Sequence, residues 1–219
     1  MKRIIILISI AFIGSIIGYL ISVNKTKPLP IINPIDVVEE MVDSSMLRIG
    51  YGHTIGDFSF ENQNKIKISQ KDVKNKIYVV EYFFTTCPTI CPKMNIQMQR
   101  VQKAFQGNDD FKILSFTVDP EVDNVEQLKQ YALSHEADDN QWYFLTGSKK
   151  DLYHLARTSF FILKPAEAQN LGDAGSDFIH TNNFVLVDRE KRIRGYYDGT
   201  SEKEVSQLIT DIELLLSEK

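Results

Sequence analysis

The apolar run KIYVVEYFF, residues 76–84, leads directly into a segment that holds both cysteines of the chain. Its near-continuous hydrophobicity is typical of a central strand that is buried on both faces of a sheet. A helix is expected to begin near Cys91, because the next residue, Pro92, is tolerated only in a first helical turn. One face of this predicted helix carries Cys91, Met94, Met98, Val101 and Phe105. The chain should therefore place its cysteines where a buried strand passes into an amphipathic helix, with both methionines packed in the core.

Further strands follow along the chain. Residues 111–118, 183–188 and 192–197 are predicted to be strands, as is the segment WYFLTG. A tight turn is expected to join 183–188 to 192–197. The segment IGDFSFENQNKIKISQKDV, which precedes the cysteines, is typical of an added N-terminal hairpin.

Helices are predicted between and after these strands, from DNVEQLKQYALSH, KKDLYHLART and SEKEVSQLITDIELLLSE. Asp123 is a candidate cap for the first of them, and Ser201 with Glu204 predicts a capping box for the last. A strand that ends in a cysteine motif and opens a helix is typical of thioredoxin-like proteins. The predicted fold class is therefore α/β: a thioredoxin-like mixed sheet flanked by helices, with the added N-terminal hairpin and an N-terminal transmembrane helix.

The transmembrane prediction rests on residues 4–23, which are free of charged side chains. A helix of this length rises about 30 Å, the thickness of the hydrocarbon core of a bilayer. Lys2 and Arg3 precede the run, so the positive-inside rule keeps the N-terminus in the cytoplasm. We predict an uncleaved anchor over residues 1–23, with a cleaved signal peptide as the alternative.

A linker and one folded domain are expected after the anchor. Residues 24–44 contain three prolines and predict a semi-extended linker. Residues 45–219 are long enough to bury a core of their own. The predicted location is a bacterial cytoplasmic membrane, crossed once, with the domain on the extracytoplasmic side.

The charge of the chain argues against one class of partner. The formal net charge is −4, and no basic cluster occurs along the domain. Proteins that bind nucleic acid carry a basic patch or stripe, so no nucleic-acid partner is expected.

The cysteine motif CPTICP allows three kinds of chemistry. An exported domain lies where disulfides persist, but a bridge across so short a loop stabilises little. Thiols at a helix N-terminus have a lowered pKa and are reactive, which favours thiol–disulfide exchange. Compared with a Cys-x-x-Cys motif, the extra residue between Cys87 and Cys91 brings both sulfurs to one helical face. Two soft sulfur ligands suit Cu(I), and zinc accepts them as well.

Two sulfurs are few ligands for a metal, so a third is expected from elsewhere, and a histidine is favoured. His180 precedes the predicted strand 183–188, in the loop that faces the cysteines of thioredoxin-like folds. An ordinary surface residue is the alternative interpretation of His180. The other histidines, His53, His135 and His154, have ordinary structural interpretations.

Three carboxylates are candidates for roles beside the cysteines. Glu81 interrupts the apolar strand; it lies either buried beneath the cysteines, where it would have a raised pKa and pass protons to them, or on an exposed edge. Asp119 and Asp123 follow a strand end, where sites of α/β sheets often lie. They either support the metal site or dock a partner, or else Asp123 caps a helix and Asp119 caps the turn at Pro120.

Three stretches, YFFTTCPTICPKM, TVDPEVD and DFIHTNNFVLVD, resemble the Sco/SenC family of copper-binding proteins. The resemblance covers essentially the whole of the predicted domain. It implies a membrane-tethered thioredoxin-like fold that binds one copper ion, as Cu(I) or Cu(II). By position, the ligands that it implies are Cys87, Cys91 and His180.

The same resemblance implies a role in the assembly of cytochrome c oxidase, with the copper-bearing subunit of that oxidase as partner. Our leading interpretation is a copper chaperone for its binuclear copper site, and thus not an enzyme. The alternative is a thiol–disulfide oxidoreductase that reduces cysteines of the oxidase subunit or of other exported proteins. That activity would need only the redox pair Cys87 and Cys91.

Overall fold

The computed structural model describes residues 14, 28–42, 46, 50–162 and 181–218. The strands are β1 (Ser59–Asn62), β2 (Lys67–Ser69), β3 (Ile77–Phe83), β4 (Phe111–Thr117), β5 (Trp142–Thr146), β6 (Asn183–Val187) and β7 (Ile193–Asp198). The α-helices in these ranges are α1 (Cys91–Ala104), α2 (Val125–Ser134), α3 (Lys149–Thr158) and α4 (Glu202–Ser217). Two short 3-10 turns, Pro34–Asp36 and Glu39–Met41, precede the first strand.

The predicted anchor, residues 1–23, lies outside the described residues except for Gly14. Among the helices that the structure does describe, none has the length and apolar character needed to cross a bilayer.

The strands form one mixed sheet in the order β2-β1-β5-β4-β3-β6-β7. The three strands β3, β4 and β5 run parallel to one another, and the remaining neighbours pair antiparallel. The predicted N-terminal hairpin is confirmed as β1 and β2, and it extends the sheet through β5. The mixed α/β sheet expected from the sequence is therefore confirmed.

β3 is an interior strand of this sheet, between β4 and β6, and all seven of its residues are buried. Its side chains alternate between two apolar layers. Tyr78, Val80 and Tyr82 pack in the layer that includes α3, whereas Ile77, Val79 and Phe83 pack with α1, α2 and α4. Because β3 and β4 are parallel, the loops that follow both strands leave the sheet at the same edge. This edge receives the cysteines.

The first turn of α2 differs from the expectation. Its cap is Asn124, whose side chain accepts a hydrogen bond from the N–H of Gln127 at 3.0 Å. Asp123 does not cap the helix, so that interpretation is wrong. The physical reason is that the Asp123 carboxylate is already bound by hydroxyl groups at the ends of two strands.

The capping box predicted for α4 forms only in part. Ser201 accepts a hydrogen bond from the N–H of Glu204, as expected. The carboxylate of Glu204 accepts from the N–H of Asp198 instead of completing the box with Ser201. It thereby ties the helix to the end of β7.

Residues 28–42, which lie within the segment predicted to be a linker, contact the domain. Ile32 forms a β-bridge with Ile193 at the start of β7. The buried guanidinium of Arg194 donates to the carbonyl oxygens of Leu29 and Pro30 at 2.8 and 3.0 Å. The bounds of the anchor and the linker stay predictions.

Candidate functional site

The two cysteines lie in the loop between β3 and α1, which we call the cysteine loop (residues 84–91). Cys91 is the first residue of α1, and Pro92 occupies the first turn as predicted. Cys87 and Cys91 are buried, and both are free thiols. The N–H of Cys87 donates to the carbonyl oxygen of Phe84 at 3.2 Å, which turns the chain back towards the helix. The loop thus presents two reduced sulfurs at a helix N-terminus.

The two thiols differ in acidity. Burial opposes ionisation of Cys87, but hydrogen bonds from the backbone of Cys91 and Thr89 to its sulfur outweigh burial, so the pKa of Cys87 is lowered. Burial raises the pKa of Cys91, and the neighbouring Cys87 and Glu81 raise it further. Cys87 is therefore the more nucleophilic sulfur of the pair.

Glu81 is fully buried in β3, on the face of the sheet that packs against α1. Its Oε1 accepts a hydrogen bond from Ser115 at 2.6 Å, and the Ser115 hydroxyl in turn accepts from the indole N–H of Trp142 at 2.7 Å. The second carboxylate oxygen has no hydrogen-bond partner among the described residues. Burial raises the pKa of Glu81 to about 7. The buried alternative is therefore confirmed for Glu81, whereas proton transfer to the cysteines stays a prediction.

Asp123 is also fully buried, directly beside the start of the cysteine loop. Its carboxylate accepts hydrogen bonds from the hydroxyls of Thr85 and Thr117, each at 2.5 Å, and from the N–H of Thr85 at 3.2 Å. Burial raises the pKa of Asp123, although the bonds from Thr117 and Thr85 oppose the shift. Asp119 is half-buried at the same edge of the sheet, where its carbonyl accepts from the N–H of Asp123.

The sequence interpretation missed the partners of these carboxylates. Thr85 lies in the cysteine loop, and Ser115 and Thr117 are small polar residues of β4; the spacing of these three residues carries no signal. Only the register of the sheet, with Phe83 opposite Thr117 and Glu81 opposite Ser115, brings them to the site. A sequence pattern can indicate which strand a residue occupies. Its hydrogen-bond partner on the neighbouring strand can be identified only when the pairing of the two strands is known.

His180, the predicted third ligand, lies outside the described residues. The chain is described again from Thr181, just before β6. Because β6 runs antiparallel to β3, with Tyr78 opposite Val187 and Val80 opposite Val185, β6 begins at the end of β3 that leads to the cysteines.

The other histidines have structural surroundings of their own. The Nε2 atom of His53 lies 2.9 Å from the carbonyl oxygen of Ser159, and burial lowers its pKa. The Nδ1 atom of His135 lies 2.8 Å from the carbonyl oxygen of Tyr131 at the end of α2. His154 is exposed on α3. Within the described ranges, no three His, Cys, Asp or Glu side chains are grouped as metal ligands.

Comparisons with known proteins agree on one family. The family model for SCO1/SenC matches residues 49–217. A SCO1 protein homolog of Bacillus subtilis is 32% identical over 164 residues, which is 74% of this chain and 82% of that protein. A protein of Stutzerimonas stutzeri, named as a candidate copper-binding protein, is 26% identical over 155 residues, 70% of this chain and 73% of its own.

A solved structure shares the fold. It is that of BsSco, described as a member of the Sco family of cytochrome c oxidase assembly proteins that has a disulfide switch. The likeness has a TM-score of 0.64 and 29% identity, and it covers 76% of this chain and 95% of BsSco. The thioredoxin-like fold expected from the sequence agrees with this likeness. The extent of the family match and the similarity to the Bacillus subtilis protein show that this chain belongs to the SCO1/SenC family.

Proposed function

We propose that this chain binds one copper ion and delivers it to the copper-bearing subunit of cytochrome c oxidase during assembly. The observation that carries the proposal is the pair of free, buried thiols in the cysteine loop, with Cys91 at the first residue of α1 and Cys87 four residues before it. Thiolates are soft ligands that favour Cu(I). The copper-binding name of one relative and the oxidase-assembly description of another support the same role.

His180 is proposed as the third ligand. Its imidazole would add a nitrogen donor that suits Cu(II) as well as Cu(I). The support is positional: β6 begins beside the end of β3 that leads to the cysteines, and His180 comes immediately before the first described residue of that segment. Three protein ligands leave a coordination position open, and an acceptor protein needs that position to take over the ion.

Loading requires both sulfurs to lose their protons. The lowered pKa of Cys87 means that this proton leaves readily, whereas the raised pKa of Cys91 means that the metal must displace the second proton. We therefore expect copper uptake to strengthen as the pH rises. A disulfide between the two cysteines would abolish binding, so the redox state gates loading.

The proposal is tested with the purified, reduced full-length chain. Cu(I) is titrated in competition with a chromogenic chelator, and Cu(II) is followed by its sulfur-to-copper charge-transfer absorption. We expect one copper per chain, with Cu(II) binding lost in His180→Ala. The matched control is His154→Ala, which removes an exposed histidine of α3 and should bind as the wild type does. A wild-type chain that holds no Cu(I), or a His180→Ala variant that binds Cu(II) unchanged, would contradict the assignment.

A second candidate function is thiol–disulfide exchange, favoured by the unequal acidity of the two thiols. The Cys87 thiolate would attack a substrate disulfide and release one substrate thiolate. Cys91 would then attack the Cys87 sulfur of the mixed disulfide and displace the second substrate thiolate, leaving the substrate reduced and a Cys87–Cys91 disulfide in this chain. Single-turnover reduction of a disulfide-bonded peptide separates the two functions. If the wild-type chain binds no copper and reduces the peptide at the same rate as His180→Ala, the reductase function is favoured.

We further propose that residues 1–23 anchor the chain in a membrane and that 24–44 connect the anchor to the domain over residues 45–219. The support is the uncharged run in the sequence. Expressed in bacteria, the full chain should stay with the membrane through alkaline carbonate extraction. A protease added outside spheroplasts should digest the domain. Release of the chain by carbonate would contradict the anchor.

A further inference from the structure

Hydrogen bonds between Asp123 and Thr85 connect the cysteine loop to a segment that is distant in the sequence. Asp123 lies in the segment between β4 and α2, and Thr85 stands two residues before Cys87. The carboxylate accepts from both the N–H and the hydroxyl of Thr85, at 3.2 and 2.5 Å. Two donors from one residue fix both the backbone and the side chain of Thr85.

Two further groups complete the network. The hydroxyl of Thr117, at the end of β4, donates to the second oxygen of Asp123 at 2.5 Å and accepts from the N–H of Asp119 at 2.9 Å. The side-chain amide of Gln127, in α2, donates to the Thr85 hydroxyl at 3.2 Å. The network therefore connects the end of β3, the end of β4 and the first turn of α2 at one buried carboxylate.

A purely local role does not explain this arrangement. Asn124 already caps α2, so the helix does not need Asp123 as its cap. A carboxylate that is fully removed from water is unfavourable unless several donors surround it. Here two of those donors belong to Thr85, at the start of the cysteine loop.

We propose that Asp123 is a positioning residue that holds the start of the cysteine loop, through Thr85, in the conformation in which Cys87 and Cys91 bind copper together. It acts through Thr85 and does not contact the ion. The copper part of this inference rests on the proposed function, whereas the ordering of the loop does not. Residues that orient metal ligands commonly change metal affinity by about 10- to 100-fold when they are replaced.

The test compares Thr85→Val with Thr85→Ser in the full-length chain. Valine has the shape of threonine but lacks the hydroxyl, whereas serine keeps it. Asp123→Asn is the direct variant, and Glu121→Gln, which changes an exposed carboxylate of the same segment, is the matched control. Hydrogen–deuterium exchange of a peptide that covers residues 84–93 reports loop order without copper, and chelator competition reports Cu(I) affinity.

We expect Thr85→Val and Asp123→Asn to raise exchange in the loop peptide about tenfold and to weaken Cu(I) binding by about 10-fold or more. Exchange in β3 should stay unchanged, and Thr85→Ser and Glu121→Gln should resemble the wild type. Should Asp123→Asn fail to fold, Thr85→Val still tests the inference. Equal hydrogen exchange of the loop peptide in Thr85→Val and Thr85→Ser would overturn the inference. Faster exchange of the loop peptide in Thr85→Val with unchanged Cu(I) affinity would overturn it as well. A wild-type chain without copper binding would refute the proposed function alone, and the exchange comparison would still test the ordering of the loop.

Discussion

The environments of single residues give this site its chemistry. Cys87 and Cys91 belong to the same short motif, yet hydrogen bonds lower the pKa of Cys87, whereas burial raises that of Cys91. The motif itself predicts two reactive thiols and says nothing about which is the stronger acid. Glu81 shows the same limit, because its place in an apolar strand left both a buried and an exposed interpretation open. Its actual surroundings, Ser115 and Trp142, come from neighbouring strands.

Replacement of Glu81 tests the effect of burial on its ionisation. The folded-state pKa is raised from 4.5 to about 7, so the stabilisation linked to this group is complete below pH 4.5 and is lost as the pH rises through 7. Glu81→Gln removes this dependence while keeping an acceptor for Ser115. Between pH 5 and 8 the free energy of unfolding of the variant should therefore rise relative to that of the wild type, by at most about 3 kcal/mol.

Chemical denaturation at a series of pH values measures this difference. Glu213→Gln, an exposed change on α4, is the control and should follow the wild-type pH profile. Parallel profiles for Glu81→Gln and the wild type would mean that Glu81 does not carry the raised pKa.

A second consequence concerns the thiols. Ionised Glu81 raises the pKa of Cys91 through its negative charge. Glu81→Gln should therefore lower that pKa and shift the alkylation of Cys91 by iodoacetamide to lower pH. Mass spectrometry of the alkylated peptides gives the rate for each cysteine. An unchanged alkylation profile would remove Glu81 from any role in thiol chemistry.

The predicted elements agree closely with the structure where the hydrophobic pattern is strong. β3, α1 and β4 were all expected within about two residues of their observed ends, and the buried methionines of α1 confirm the predicted apolar face. The prediction that Asp123 caps α2 was wrong, because a residue caps a helix only when its side chain is not bound by other groups. Asp123 and Asn124 are adjacent and both suit a cap, but the hydroxyls of Thr85 and Thr117 bind Asp123.

The cap can be tested separately from the site. Asn124→Ala should lower the free energy of unfolding by about 1 kcal/mol, because the N–H of Gln127 loses its acceptor. Asn124→Asp keeps the acceptor and should be nearly neutral. Both variants should retain wild-type copper affinity. Loss of copper affinity in Asn124→Ala, with stability unchanged, would contradict the separate roles given to Asn124 and Asp123.

At the scale of the whole molecule, the topology of the sheet determines where the cysteines lie. The parallel pair β3 and β4 brings the cysteine loop and the Asp123 segment to one edge, and β6 begins at that edge. The sequence motifs predicted the family and the fold class, but the pairing of β1 with β5 depends on contacts far apart in sequence that no local pattern indicates. Elsewhere in the sheet, Arg194 of β7 donates hydrogen bonds to the carbonyl oxygens of Leu29 and Pro30.

The most direct test of the account is X-ray absorption at the copper edge on the Cu(I)-loaded full-length chain. We predict one copper per chain with two sulfur neighbours and one nitrogen neighbour, and with one sulfur fewer in Cys87→Ser and in Cys91→Ser. Copper without sulfur neighbours, or an unchanged sulfur count in either serine variant, would contradict a site built on the two cysteines.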